Sequence, residues 1–171
     1  MHRITIEISE SLKNHFSQLT HNSNETLDHH ILQRSLLKIK SLSGNSHDDI
    51  LLSHLKDLET MIHMLMEPQW QVSAGKAQRI NATMTYFLNE NDIIPDSTPG
   101  LGFLDDCIVI SNTKEELSRE LNDYLDFQGT QRVYGQHKCI NREAWQKIKK
   151  QESASRLRHR RTRFAMKNRR G

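Results

Sequence analysis

The stretch NDIIPDSTPGLGFLDD, Asn91 to Asp106, decides how the middle of this chain is read. It brings Asp92, Asp96, Asp105 and Asp106 together with Pro95, Pro99, Gly100 and Gly102 in one short span. Pro95 pushes Ile94 out of the helical region, and Pro99 with Gly100 turns the chain. Gly102 permits close backbone approach, and Asp105 or Asp106 supplies a cap and favourable dipole charge to a returning helix. Apolar residues flank the turn on both sides: Ile80, Met84, Phe87 and Leu88 before it, Ile108, Val109 and Ile110 after it. The spacing predicts a helical hairpin.

Two readings of the carboxylates compete. As structure, Asp92, Asp96, Asp105 and Asp106 cap helix ends and accept from turn amides. As a site, they offer the oxygens that Mg²⁺ or Ca²⁺ takes. The string has no Gly-rich phosphate loop and no sustained ligand alternation, so the structural reading is preferred, with no metal, no cofactor and no enzymatic activity expected. The segment resembles the YkvA-like family of small domains through Asp92, Pro95, Asp96, Pro99, Gly102, Leu104, Asp105 and Asp106, over about Ala74 to Leu117. That resemblance brings no established activity with it.

Upstream, Leu51, Leu55, Leu58, Ile62 and Leu65 recur at spacings of four, three, four and three, between His47, Asp48 and Asp49 at a helix start and Pro68 at its end. This is an a/d seam about two heptads long, too short for an independent coiled coil, so the helix is expected to pack on its own chain. Met61, Met64 and Met66 read as flexible filler.

The N-terminus follows a different period. Ile4, Ile6 and Ile8 alternate with Arg3, Thr5 and Glu7, which predicts a short strand with one apolar face. Helical spacing follows at Leu12, Phe16 and Leu19 after Ser9, and again at Leu27, Ile31, Leu36, Leu37 and Ile39 after a polar turn. A lone strand exposes its amide ladder, so this unit predicts a homodimer. RITIEISESL, Arg3 to Leu12, resembles the ribbon-helix-helix repressors of the Arc and MetJ type. The resemblance implies a paired-strand ribbon in the major groove, with Arg3 and Thr5 toward the bases. Glu7 suits only a cytosine amine there, which leaves open a ribbon used for dimerisation alone.

Charge is segregated. The last 41 residues hold fourteen Lys and Arg against two acids, about +12, and the first 130 hold ten against nineteen, about −9. Arg156, Arg158, Arg160, Arg161, Arg163, Lys167, Arg169 and Arg170 repel one another until an anion neutralises them, and seven Arg to one Lys favours phosphate and guanine edges. From Ser153 onward this tail is expected to be disordered alone and to fold on nucleic acid. Residues 127–134 read as a loop or linker, followed by a basic helix over Asn141 to Gln151. Cys107 and Cys139 form neither a disulfide framework nor a zinc motif. No stretch reaches membrane-span length, and Thr83, Thr85 and Asn89 make the hairpin too polar for a bilayer, so a cytoplasmic protein is expected.

The expected fold is mainly α: a ribbon-helix-helix-like unit over 1–42, a YkvA-like helical domain over 47–128 and a basic arm over 129–171. The expected function is a non-catalytic, nucleic-acid-binding protein, first a dimeric DNA-binding regulator using Arg3, Thr5 and the arm. A structured-RNA or ribosome-associated factor anchored by the arm is the first alternative. An adaptor whose tail binds an acidic protein partner is the second.

Overall fold

A computed structural model of the chain describes residues 29–89, 94, 102–134 and 140–168, the last eleven of these by backbone alone. Six helices make up the described residues: α1 (His29–Asn45), α2 (Asp49–Met66), α3 (Ala74–Phe87), α4 (Leu104–Glu116), α5 (Ser118–Tyr134) and α6 (Arg142–Asn168). None is long and apolar enough to cross a membrane.

The absence of any strand among the described residues corrects the expected mainly-α fold with a ribbon-helix-helix-like β-strand. Arg3, Thr5 and the Ile4 to Ile8 alternation lie outside the described residues. The helix expected after the polar turn does form, as α1, but it buries Leu32, Ser35 and Ile39 and packs on α2 and α3 of its own chain. An apolar stripe covered in this way is not the shared core that a ribbon-helix-helix dimer needs, and the expected homodimer rested on that unit.

The chain divides into two compact units. The first takes residues up to Pro68 together with Val72–Asn122. In it α2 starts at an N-cap, Asp48, whose carboxylate accepts from the amides of Ile50 at 2.9 Å and Leu51 at 3.3 Å. Such a cap satisfies two of the first-turn donors and stabilises a helix by about 1 kcal/mol. Leu51, Leu55, Leu58 and Ile62 of the heptad seam are buried, with Met61 and Met64 filling beside them, while Met66 is exposed. The partners are α1, α3 and α4 of the same chain. α3 is buried all round over Arg79 to Met84, as expected of a helix with neighbours on several sides.

The second unit is discontinuous, made of Gln69–Gln71 and Asp123–Gly171. Trp70 is fully buried, with ring centroids 5.0 Å from Phe127, 5.3 Å from Trp145 and 5.7 Å from Tyr124. Large edge-on and tilted aromatic pairs of this kind dominate the stability of a small core. They also explain why residues 127–134, expected as a loop, are helical. Phe127 is anchored on Trp70, and Thr130 Oγ1 donates to the Asp126 carbonyl, so packing overrides the cost of Gly129 inside a helix.

Candidate functional site

The expected hairpin runs from α3 to α4; Pro95, Pro99 and Gly100 lie outside the described residues. Of the signature residues, Gly102, Asp105 and Asp106 are described and buried; Asp92, Pro95 and Asp96 lie outside the described residues. The N-cap of α4 is Phe103, and Asp105 and Asp106 occupy the first helical turn rather than the cap position.

Asp105 is completely buried and is the hub of the turn. Its Oδ2 accepts from the Tyr86 hydroxyl at 3.0 Å and from the Ile94 amide at 3.0 Å, and its Oδ1 accepts from the Asp106 amide at 3.1 Å. One carboxylate thus ties the last turn of α3, the loop and a first-turn amide of α4. Three polar groups from three segments share this one side chain. From α1, Lys38 Nζ donates to the Phe87 carbonyl at 2.5 Å and lies 4.6 Å from the Phe87 ring centroid and 5.8 Å from that of Phe103. A cation at the C-terminal end of α3 suits its dipole, and the two rings it spans stand on either side of the turn.

Below the turn, α3 and the following helices are joined by a polar seam. Arg79 donates from Nε to Glu116 Oε2 at 2.7 Å and from Nη2 to Oε1 at 2.6 Å; the Thr83 and Thr113 hydroxyls share a 2.7 Å hydrogen bond; Lys76 meets Glu120 at 2.6 Å. The α3 residues Lys76, Arg79, Thr83 and Tyr86 are spaced three, four and three apart, so they share one face. Cys107, one turn into α4, has its thiol pushed up to about 12, by burial first and then by Asp106, Asp48 and Asp105. A thiol held protonated in this way is a small core hydrophobe rather than a nucleophile.

A second polar construction holds the start of α6. Asn141 Oδ1 accepts from the Ala144 amide at 2.9 Å, which caps the helix. The Arg142 guanidinium lies 4.4 Å from the Trp70 ring centroid and donates to the carbonyls of Trp70 at 3.4 Å and Gln71 at 3.1 Å. Its backbone amide donates to the Gln69 carbonyl at 2.9 Å. Gln71 has φ 50, a left-handed conformation that a non-glycine side chain adopts at a cost of about 1 kcal/mol, and Arg142 holds it there. One turn further on, Trp145 Nε1 and Lys149 Nζ both reach Asp126 Oδ2, at 2.7 and 2.9 Å. Burial works to raise the Asp126 carboxyl, but the hydrogen bonds from Lys149 and Trp145 outweigh it and hold the group below the usual carboxylate range. Lys149 is correspondingly raised, first by its hydrogen bond to Asp126.

Beyond this clamp α6 runs on as one helix to Asn168, where disorder was expected from Ser153. Leu, Ala, Met, Arg and Lys are all good helix formers, and the anchored first turns remove the nucleation cost. Arg156 is exposed, with Glu152 at 4.0 Å. Arg158, Arg160, Arg161, Arg163 and Lys167 lie on the helical backbone, and Arg169 and Arg170 lie outside the described residues. Asp105 and the arm were thus marked from sequence, whereas Lys38, Tyr86, the Arg79–Glu116 pair and the Trp70–Arg142 clasp were not.

Residues 80–111 match a family model described as "Protein of unknown function (DUF1232)". The match begins inside α3, crosses the turn and ends inside α4, so it covers the segment that Asp105 ties together. No curated protein and no solved structure matches the chain.

Proposed function

We propose that the protein is a non-catalytic nucleic-acid-binding protein in which α6 contacts phosphates and the hairpin is a structural element. The observation that carries this reading is the form of α6. It is capped by Asn141 and clamped at Arg142, Trp145 and Lys149, and its chain after Glu152 carries eight basic residues and no acid. A cation-rich segment fixed as a helix loses less conformational entropy on binding than a disordered one. Duplex and folded nucleic acids present the dense phosphate array that neutralises such a segment.

The test is a salt titration of binding by the full chain and by a chain lacking Ser153 to Gly171, which keeps the Trp145 anchor. Eight phosphate contacts give a slope of log K against log salt of roughly −5 to −7. The truncated chain is expected to bind weakly and with a flattened slope. Unchanged binding after truncation overturns the proposal. So does equal, equally salt-sensitive binding of the full chain to poly-glutamate, which favours an adaptor for acidic proteins.

A further inference from the structure

The arm's charges are not gathered on one side of the helix. At 3.6 residues per turn, Arg156, Arg160, Arg163 and Lys167, beyond the Lys149 clamp, fall within about 60° of one another around the axis. Lys147, Lys150, Arg158 and Arg161 fall within about 80° of one another, and the centres of the two stripes are about 150° apart. Positions without basic Lys or Arg separate them, Ser153, Leu157 and Phe164 on one side and Gln151, Ser155 and Thr162, together with Glu152 and His159, on the other.

A helix lying on a flat anionic surface, whether a bilayer, an acidic protein face or a single phosphate strand, brings only one such stripe into contact. Two nearly opposite stripes call for anionic walls on both sides. The major groove of B-form DNA is about 12 Å wide and a helix with its side chains is about 10–12 Å across, so a helix seated there has a phosphate backbone on either side. The twenty-residue rise from Lys147 to Lys167 is about 30 Å, close to one turn of the duplex. The major groove of A-form RNA is deep and narrow and does not admit a helix in this way.

Resting on the nucleic-acid reading above, the geometry points to duplex DNA as the ligand, with α6 lying in the major groove and its two basic stripes contacting the two backbones. The lane of Ser153, Leu157 and Phe164 then lies toward the groove floor, and the lane that holds Glu152 lies toward solvent. Leu157 and Phe164 are apolar groups of the kind that meet thymine methyls, with Leu157 exposed.

The experiment uses the full chain, a twenty-base-pair DNA duplex, an RNA duplex of the same sequence and the single strand. DNA duplex is expected to bind at least ten-fold tighter than RNA duplex at equal salt. Arg156→Gln with Arg160→Gln and Arg163→Gln flattens the DNA salt slope by about 3, and Arg158→Gln with Arg161→Gln flattens it by about 2, at about 0.9 per phosphate contact. Arg158→Lys with Arg161→Lys, which keeps the charge, restores the slope and separates charge from loss of helix. A second-stripe variant with an unchanged slope, or RNA duplex bound as tightly as DNA, overturns the groove placement alone. Binding to none of the three probes overturns the nucleic-acid reading, and the groove placement falls with it.

Discussion

In the hairpin, Arg79 is 6% exposed and gives two hydrogen bonds to Glu116; in the arm, Arg156 is 79% exposed and has Glu152 at 4.0 Å. The same side chain therefore serves opposite ends. Burial makes an arginine depend on its carboxylate, because the charge left behind when the pair is broken has no water to turn to. Exposure leaves an arginine nearly neutral for stability and available to a partner's anion. The two polar constructions differ likewise: Asp105 holds the hairpin closed on itself, while the clamp on Trp145 and Lys149 holds α6 only at its root.

That contrast breaks first at Asp105. Asp105→Ala leaves the Tyr86 hydroxyl and the Ile94 amide without their acceptor and is expected to lower stability by about 3 kcal/mol in urea unfolding. Tyr86→Phe, which removes one of the donors, costs about 1 kcal/mol. A loss for Asp105→Ala as small as that for Tyr86→Phe would mean that the carboxylate is not the hub of the turn.

Next comes the pair of arginines. Arg79→Ala is expected to cost about 2 kcal/mol, less than a fully buried pair because the Glu116 side chain is 38% exposed, and Arg156→Ala to stay within about 0.5 kcal/mol. Parallel denaturation curves measure both. Equal losses would erase the distinction between the two regions.

The smallest effect is one of pH. His54, half-buried on α2, is lowered from 6.5, by burial first; Lys114 adds to this and Asp57 and Asp48 oppose it. The folded state therefore favours the neutral ring. Its contribution is fully present above about pH 6.5 and declines as pH falls from there toward the lowered folded value. Lys149 runs the other way, its raised value keeping the contribution intact below the ordinary lysine range and losing it only at strongly alkaline pH. Melting temperatures of His54→Gln should lose the decline just below pH 6.5 and keep the alkaline limb; a mutant with the same acid limb would assign that decline elsewhere.

What was legible in the chain was what neighbours in sequence determine. The seam at Leu51, Leu55, Leu58 and Ile62, the acidic start at Asp48 and the apolar runs of α3 and α4 at Ile80, Met84, Phe87, Ile108, Val109 and Ile110 are all local signals. The partners of Asp105 are not, since Tyr86 and Ile94 reach it only after the hairpin closes, and Trp70 gives no local sign of meeting Trp145. The Ile4 to Ile8 alternation is a local signal too, but it lies outside the described residues, among which no strand is present. In the arm, charge repulsion argues for disorder, but the helix propensity of the same residues and the anchoring of the first turns outweigh it.

The Trp70 cluster has a kinetic side. Gln69–Gln71 and Asp123–Gly171 form one unit although the whole of Val72–Asn122 lies between them. Bringing Gln71 to Arg142 in an otherwise unfolded chain closes a loop of 71 residues, an entropic cost of about 4 kcal/mol from the logarithmic term alone. Once the hairpin has condensed, the intervening chain is no longer a free loop and most of that cost has already been met. The aromatic unit is thus expected to form after the helices that lie between its two segments in sequence, so that α6 gains its anchor late in folding.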